Sequence, residues 1–185
     1  VRGLNVTAPF KEQAFALADT TSDTARISSS SNLLTFREGR VHADSTDGLG
    51  LLRALAEQAP DLSLNGRAVT MLGAGGAARA AAAALAGAGA TVRVVNRTFA
   101  RAEALAADLG PGVEAWPEAE AALKDAALIV NALSVRPGID LARLDPATVI
   151  MDMTYRPLVT PLLAAARALG LTTVDGLAML IGQAG

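Results

Sequence analysis

The stretch Val69-Thr70-Met71-Leu72-Gly73-Ala74-Gly75-Gly76-Ala77-Ala78-Arg79 constrains the fold more than any other part of the chain. An apolar, β-branched run predicts a buried strand, and the alanine run after it predicts a helix. Between them Gly73, Gly75 and Ala78 hold the three small-residue positions of a G-x-G-x-x-G/A turn. The first permits a tight turn, the second lets backbone approach a diphosphate, and the third lets the helix pack close to the strand. The helix N-terminus there offers unpaired N–H groups and the positive end of the helix dipole to an anion. A strand before and a helix after favour a dinucleotide site over a plain glycine turn.

The rest of the chain extends this unit. Strands are expected at 68–72, 91–95, 128–131, 149–153 and 172–174, and helices at 77–88, 99–109 and 161–169. Pro117-Glu118-Ala119-Glu120 reads as one further helix start. Strands alternating with helices predict an α/β fold, a Rossmann-type doubly wound parallel sheet covered on both faces. The first 48 residues read differently. They suggest a short strand at 3–6, a helix from Pro9 to Ala18, a second short helix at 22–27, and a β-hairpin turning at Glu38-Gly39. The run Ser28 to Ser31 reads as a surface loop. Leu49, Leu52, Leu55 and Ala56 then sit at helical spacing, and Pro60 ends that helix.

Composition excludes several functions. The net charge of −2 gives no electrostatic case for nucleic acid. With no cysteine, disulfides and thiolate chemistry are excluded, and His42, the lone histidine, reads as a partly exposed strand residue. No metal site is expected. The most apolar stretch is alanine and glycine, too weakly apolar for a membrane span, and no signal peptide is visible, so the expected location is the cytoplasm.

The end of the second strand discriminates between dinucleotides. A carboxylate there suits the 2′-hydroxyl of NAD, whereas an arginine suits the 2′-phosphate of NADP. Here the strand ends in Asn96-Arg97-Thr98, with Arg101 one turn on and no Asp or Glu, which points to NADP. Of sixteen Lys and Arg side chains only Lys11 and Lys124 are lysines. A lysine in so arginine-biased a chain suggests a role arginine cannot fill, because lysine can give up its proton. Asp47 stands before a helix and suits either a site carboxylate or an N-cap.

Taken in order, Asn5-Val6-Thr7 with Pro9-Phe10-Lys11, then Asn32, Thr46-Asp47-Gly48, Gly73 to Ala78, Asn96-Arg97-Thr98, Asp152 with Tyr155 and Pro157, and Asp175-Gly176-Leu177 with Met179-Leu180 and Gln183, resemble the motifs of the shikimate dehydrogenase family. The resemblance implies NADP-dependent, reversible reduction of 3-dehydroshikimate to shikimate, on the route to aromatic amino acids. It implies Lys11 and Asp47 as the catalytic pair, and Thr7, Asn32, Asp47, Tyr155 and Gln183 as substrate contacts. For the cofactor it implies Gly73, Ala74, Gly75, Gly76, Ala77, Ala78, Asn96, Arg97, Thr98, Arg101, Asn131, Met153 and Gly176.

It further implies part of a substrate domain over 1–48, an NADP-binding domain over 49–174, and a segment from 175 to 185 returning to the substrate domain. A monomer or homodimer is expected. A quinate or aminoshikimate dehydrogenase of the same family, and a non-catalytic NADP-binding regulator, are the alternatives. The chain departs from the family pattern in carrying Ser45 where Asn is usual before Thr46-Asp47-Gly48, and serines before Asn32 where small apolar residues are usual. The family's serine pair for the substrate carboxylate has no counterpart, and further helix usually follows Gln183. The segment is therefore expected to be truncated at both ends, with an incomplete substrate-domain sheet.

Overall fold

The computed structural model describes residues 1–7 and 9–184. Ala8 and Gly185, the last residue of the expected returning segment, lie outside them. Two sheets form. The larger is built from β5 (Ala68–Leu72), β6 (Thr91–Val95), β7 (Val113–Ala115), β8 (Leu128–Asn131), β9 (Val149–Asp152) and β10 (Thr173–Asp175), in the order β10-β9-β8-β5-β6-β7 and parallel throughout. The strand order reverses between β5 and β8. Every residue of β8 and β9 is buried, as expected of central parallel strands covered on both faces. Helices α4 (Gly76–Gly87), α5 (Phe99–Leu109), α6 (Ala119–Leu123) and α7 (Pro161–Ala168) connect the strands. Apolar side chains including Val69, Met71, Leu85, Leu105 and Leu128 form the main core.

The smaller sheet is β1 (Gly3–Asn5), β2 (Thr20–Thr21), β3 (Leu33–Arg37) and β4 (Arg40–Asp44), in the order β1-β3-β4-β2. Strands β3 and β4 form the expected hairpin, with Glu38 and Gly39 both at positive φ, which a two-residue turn of matching twist requires. Helices α1 (Lys11–Ala16) and α2 (Asp23–Ser28) flank it. Exposed His42 lies on β4 and hydrogen-bonds Thr20. Helix α3 (Asp47–Gln58) joins the two sheets, and α8 (Gly176–Gly182) packs back on α3, with the Arg53 guanidinium donating to Gly182 O at 2.8 Å.

Several expectations are corrected. The run Ser28 to Ser31 is not a surface loop: Ser28, Ser30 and Ser31 are buried, because this segment leaves α2 beneath α4. Ser28 Oγ donates to Thr24 O, and Ser31 Oγ lies within donor reach of Leu33 O and Asp44 O. Pro9 lies outside α1, in a turn where Phe10 N–H donates to Thr7 O. The helix start expected at Pro117-Glu118-Ala119-Glu120 does form, as α6, with Glu118 at its N-cap and Pro117 just before it. On α3, of the spaced residues Leu55 is buried and Leu52 packs half-buried on the core, while Leu49 and Ala56 are exposed; Leu51 and Ala54, outside that spacing, complete the buried stripe.

Candidate active site

At the C-terminal end of β5 the chain turns through Gly73, whose φ of +116° a side chain rarely adopts. A Cβ there would also stand 3.2 Å from Leu133 Cδ2. Gly75 is the N-cap of α4 and brings no side chain to the helix end, and nothing lies within 4 Å of its Cβ position. Ala78 is buried and lets α4 sit close to the sheet. Ala74 and Ala77 complete the turn.

At the end of β6, Asn96 Nδ2 donates to Thr98 O at 2.9 Å and folds the strand end toward α5. Arg97 and Arg101 are exposed, and neither is ion-paired among the described residues. Next to β5, Asn131 is committed to the protein. It donates to Asp152 Oδ1 at 3.0 Å, and its own Oδ1 accepts from Leu133 N–H at 3.2 Å. Asp152 is buried and also accepts from Thr160 Oγ1 at 2.7 Å and from Thr154 N–H at 3.1 Å, which fixes the turn after β9 carrying half-buried Met153. Gly176 lies against that turn, where a Cβ would stand 2.5 Å from Met153 O.

The other half of the site comes from the smaller sheet. Lys11 Nζ lies 2.5 Å from Asp47 Oδ2, with the carboxylate 1% exposed and the lysine 13%. Asp47 is not an N-cap: Thr46 holds that position and makes no side-chain cap bond, which leaves the Asp47 carboxylate to face Lys11. Asn32 organises the cluster. Its Oδ1 accepts from Thr46 N–H at 2.9 Å, and its Nδ2 lies 2.9 Å from Thr46 Oγ1, 3.2 Å from Asp47 Oδ1 and 2.8 Å from Gln183 Oε1. An amide nitrogen has two hydrogens, so these three acceptors exceed its supply by one.

Lys11, Asn32, Asp47 and Gln183 are thus joined by hydrogen bonds, the Asn32–Gln183 bond alone spanning a separation of 151 residues. Thr7 and Tyr155 are not part of this network. Thr7 is exposed at the edge of the smaller sheet, and Tyr155 is 43% exposed with the Arg156 guanidinium 5.8 Å over its ring. Lys11 reaches the glycine turn directly: its Cβ is 3.3 Å from the point where a Cβ on Gly76 would stand.

Two structural residues escaped the sequence reading. Thr46 was seen only as part of a motif. Gln58 ties the end of α3 to the Gly176 turn, donating to Asp175 Oδ2 and accepting from Asp175 N–H, both at 3.0 Å. Its position beside the helix end at Pro60 gave no signal.

A cavity of about 480 Å³, lined by Gln58, Arg67, Val149 and Thr172 among others, opens where the parallel strands begin. Open parallel sheets take ligands beyond the strands' C-terminal ends, so the titratable groups and the glycine turn locate the candidate site better than this cavity does. Among the described residues no three His, Cys, Asp or Glu side chains group to hold a metal, and no helix is long and apolar enough to cross a membrane.

Residues 54–178 match the family model described as shikimate / quinate 5-dehydrogenase. A shikimate dehydrogenase (NADP(+)) of Caulobacter vibrioides is 53% identical, over 100% of this chain and 68% of that protein. One from Dinoroseobacter shibae is 46% identical, over 99% and 69%. Among solved structures, shikimate dehydrogenase of Aquifex aeolicus superposes with a TM-score of 0.90 at 33% identity, covering 99% of this chain and 69% of that one. The Thermus thermophilus enzyme in complex with NADP(H) and shikimate gives 0.85 at 39% identity, covering 98% and 69%.

Proposed function

This chain belongs to the shikimate / quinate 5-dehydrogenase family, and we propose that it catalyses the NADP-dependent, reversible reduction of 3-dehydroshikimate to shikimate. One observation carries the reading: the Lys11–Asp47 pair, at 2.5 Å, is held against Gly76 at the N-terminus of α4. An ionisable pair built by the smaller sheet thereby meets a nucleotide turn built by the larger one.

The turn suits a dinucleotide. The space above Gly75 is open, α4 has no side-chain cap to compete for its first N–H groups, and among the described residues Arg97 and Arg101 make no ion pair at the end of β6. In this assignment the turn from Gly73 to Ala78, which leads from β5 into α4, holds the diphosphate. Asn96, Arg97, Thr98 and Arg101 hold the 2′-phosphate, and Asn131, Met153 and Gly176 border the nicotinamide. When bound, the cofactor supplies or takes up the hydride.

The chain's own residues handle the proton and the orientation. In the reducing direction Lys11 Nζ donates a proton to the oxygen that develops negative charge, and in the oxidising direction it takes the proton from the substrate hydroxyl. Asp47 holds Lys11 in place and accepts from a neighbouring hydroxyl. The acceptor in excess around Asn32 leaves room for exchange, so a substrate hydroxyl can replace Gln183 there without stranding an N–H. Thr7 and Tyr155 complete the substrate contacts from the cleft edges. Residues 1–48 form the substrate lobe, 49–174 the NADP lobe, and 175–185 the return to the substrate lobe. The protein acts on small molecules in the cytoplasm as a monomer or homodimer.

Steady-state NADP+ reduction with shikimate tests the reading. Lys11→Ala is expected to lower kcat by about 10²–10⁴-fold, the usual contribution of a positioned acid–base group. Unchanged turnover would remove Lys11 from the chemistry. Quinate oxidised faster than shikimate in the same assay would reassign the substrate within the family.

A further inference from the structure

Three buried side-chain polar atoms lack a hydrogen-bond partner among the described residues: Ser30 Oγ, Ser45 Oγ and Arg79 Nη1. Such atoms are uncommon in folded proteins, and each calls for an explanation, a group that arrives from elsewhere among them. Ser30 is the one that meets the nucleotide turn. Its Oγ lies 2.9 Å, and its Cβ 3.8 Å, from the position a Cβ on Gly76 would take. The residue has no exposed surface.

Its main chain is fixed on both sides. Ser30 N–H donates to Ala25 O at 3.2 Å, Ser28 Oγ lies 3.2 Å from Ser30 O, and Ser31 N–H donates to Lys11 O at 3.0 Å. The hydroxyl can rotate about its own bond, but the residue cannot leave the turn without breaking these bonds.

Gly76 is the first residue of α4, a twelve-residue helix whose N-cap glycine faces open space. The groups that converge here are the free N–H groups of the helix's first turn and one unpartnered hydroxyl. All of them can donate, so the group they suit is an anion with several acceptor oxygens. We infer that Ser30, from the substrate lobe, donates a hydrogen bond to the diphosphate of NADP and completes across the lobe boundary a cradle otherwise made of α4 backbone amides. This rests on the proposal that NADP binds at the Gly73–Ala78 turn. Cofactor binding then gives the buried hydroxyl its partner and couples the segment that carries Lys11 to an occupied turn.

The test is calorimetric titration of NADP+ and of adenosine 2′-monophosphate, which lacks the diphosphate, into the parent chain and Ser30→Ala, together with thermal melting of both without ligand. Ser30→Ala is expected to weaken NADP+ about tenfold, as loss of one charge-assisted hydrogen bond does. Affinity for adenosine 2′-monophosphate is expected to stay the same. The ligand-free Tm is expected to hold or rise, because an unpartnered buried hydroxyl is removed. Unchanged NADP+ affinity, equal weakening of both ligands, or a lower ligand-free Tm would each overturn the inference while leaving the cofactor assignment intact. Failure of the parent chain to bind NADP+ at all would instead overturn the cofactor assignment and this inference with it.

Discussion

The six-stranded sheet is packed by apolar clusters that include Val69, Met71, Leu85, Val92, Leu105 and Leu128 in one and Ile129, Ile150 and Leu163 in another, whereas among the described residues the four-stranded sheet gathers Ala14, Leu34 and Ala43 into a small buried cluster. What the smaller sheet has instead is a polar network. Asp44 accepts from Ser22 and Thr24 on α2 and from Ser45 N–H, Ser31 bridges toward β4, and Asn32 ties Thr46, Asp47 and Gln183 together. The two regions present their functional groups by different means. The apolar core fixes backbone, so the larger sheet can offer a glycine turn and helix amides. The network fixes side chains, so the smaller sheet can offer a lysine and a carboxylate in register.

Core truncations should separate the two regions most sharply. Leu128→Ala removes a fully buried side chain from the centre of the larger sheet and is expected to cost about 2–5 kcal/mol. Leu34→Ala, in a cluster of three, is expected to cost no more than about 2 kcal/mol. Urea unfolding followed by Trp116, the sole tryptophan, reports the larger sheet, where the ring lies under the Arg93 guanidinium at 4.8 Å. Amide hydrogen exchange at β3 and β4 reports the smaller one. Equal costs at the two positions would mean that the smaller sheet has an apolar core after all.

A smaller effect is expected in acid. Burial alone would push the Asp44 carboxyl up, but hydrogen bonds from Ser22, Thr24 and Ser45 N–H, with the His42 charge, more than offset it and leave its pKa lowered. A carboxyl whose pKa is lower folded than unfolded adds stability above its unfolded value, and that stability is lost as pH falls through the folded value. Protection of α2 and β4 amides should therefore weaken below about pH 4 before the larger sheet responds. Asp44→Asn should show the weakening already at pH 6. If exchange there matches the parent at both pH values, the network does not hold this region.

The same contrast explains what the sequence made legible. The strands at 68–72, 91–95 and 128–131 emerge with the boundaries read from the chain: β5 and β8 are buried almost throughout and read as mainly apolar runs, and β6 reads as a β-branched run whose buried and half-buried residues alternate. Strand β7 has three residues and β2 has two, too few for any period to register. In the smaller sheet the hairpin was legible from Glu38-Gly39, but the burial of the serines was not. Their hydroxyls are satisfied mostly by backbone carbonyls, and a polar run buried that way has the composition of a loop. Lys11 and Asp47 were legible as residue types. Their 2.5 Å contact brings together the first residues of α1 and α3, 36 positions apart, which no local pattern encodes.

We propose a division of labour, with dinucleotide recognition centred on the larger sheet and proton chemistry in the smaller. Titration of NADP+ and NAD+ into the parent chain, Lys11→Ala and the double variant Arg97→Ala with Arg101→Ala tests it directly. The double variant is expected to bind NADP+ at least about tenfold more weakly with NAD+ unchanged, while Lys11→Ala binds both within about twofold of the parent. Retained NADP+ preference in the double variant, or loss of dinucleotide binding in Lys11→Ala, would contradict it.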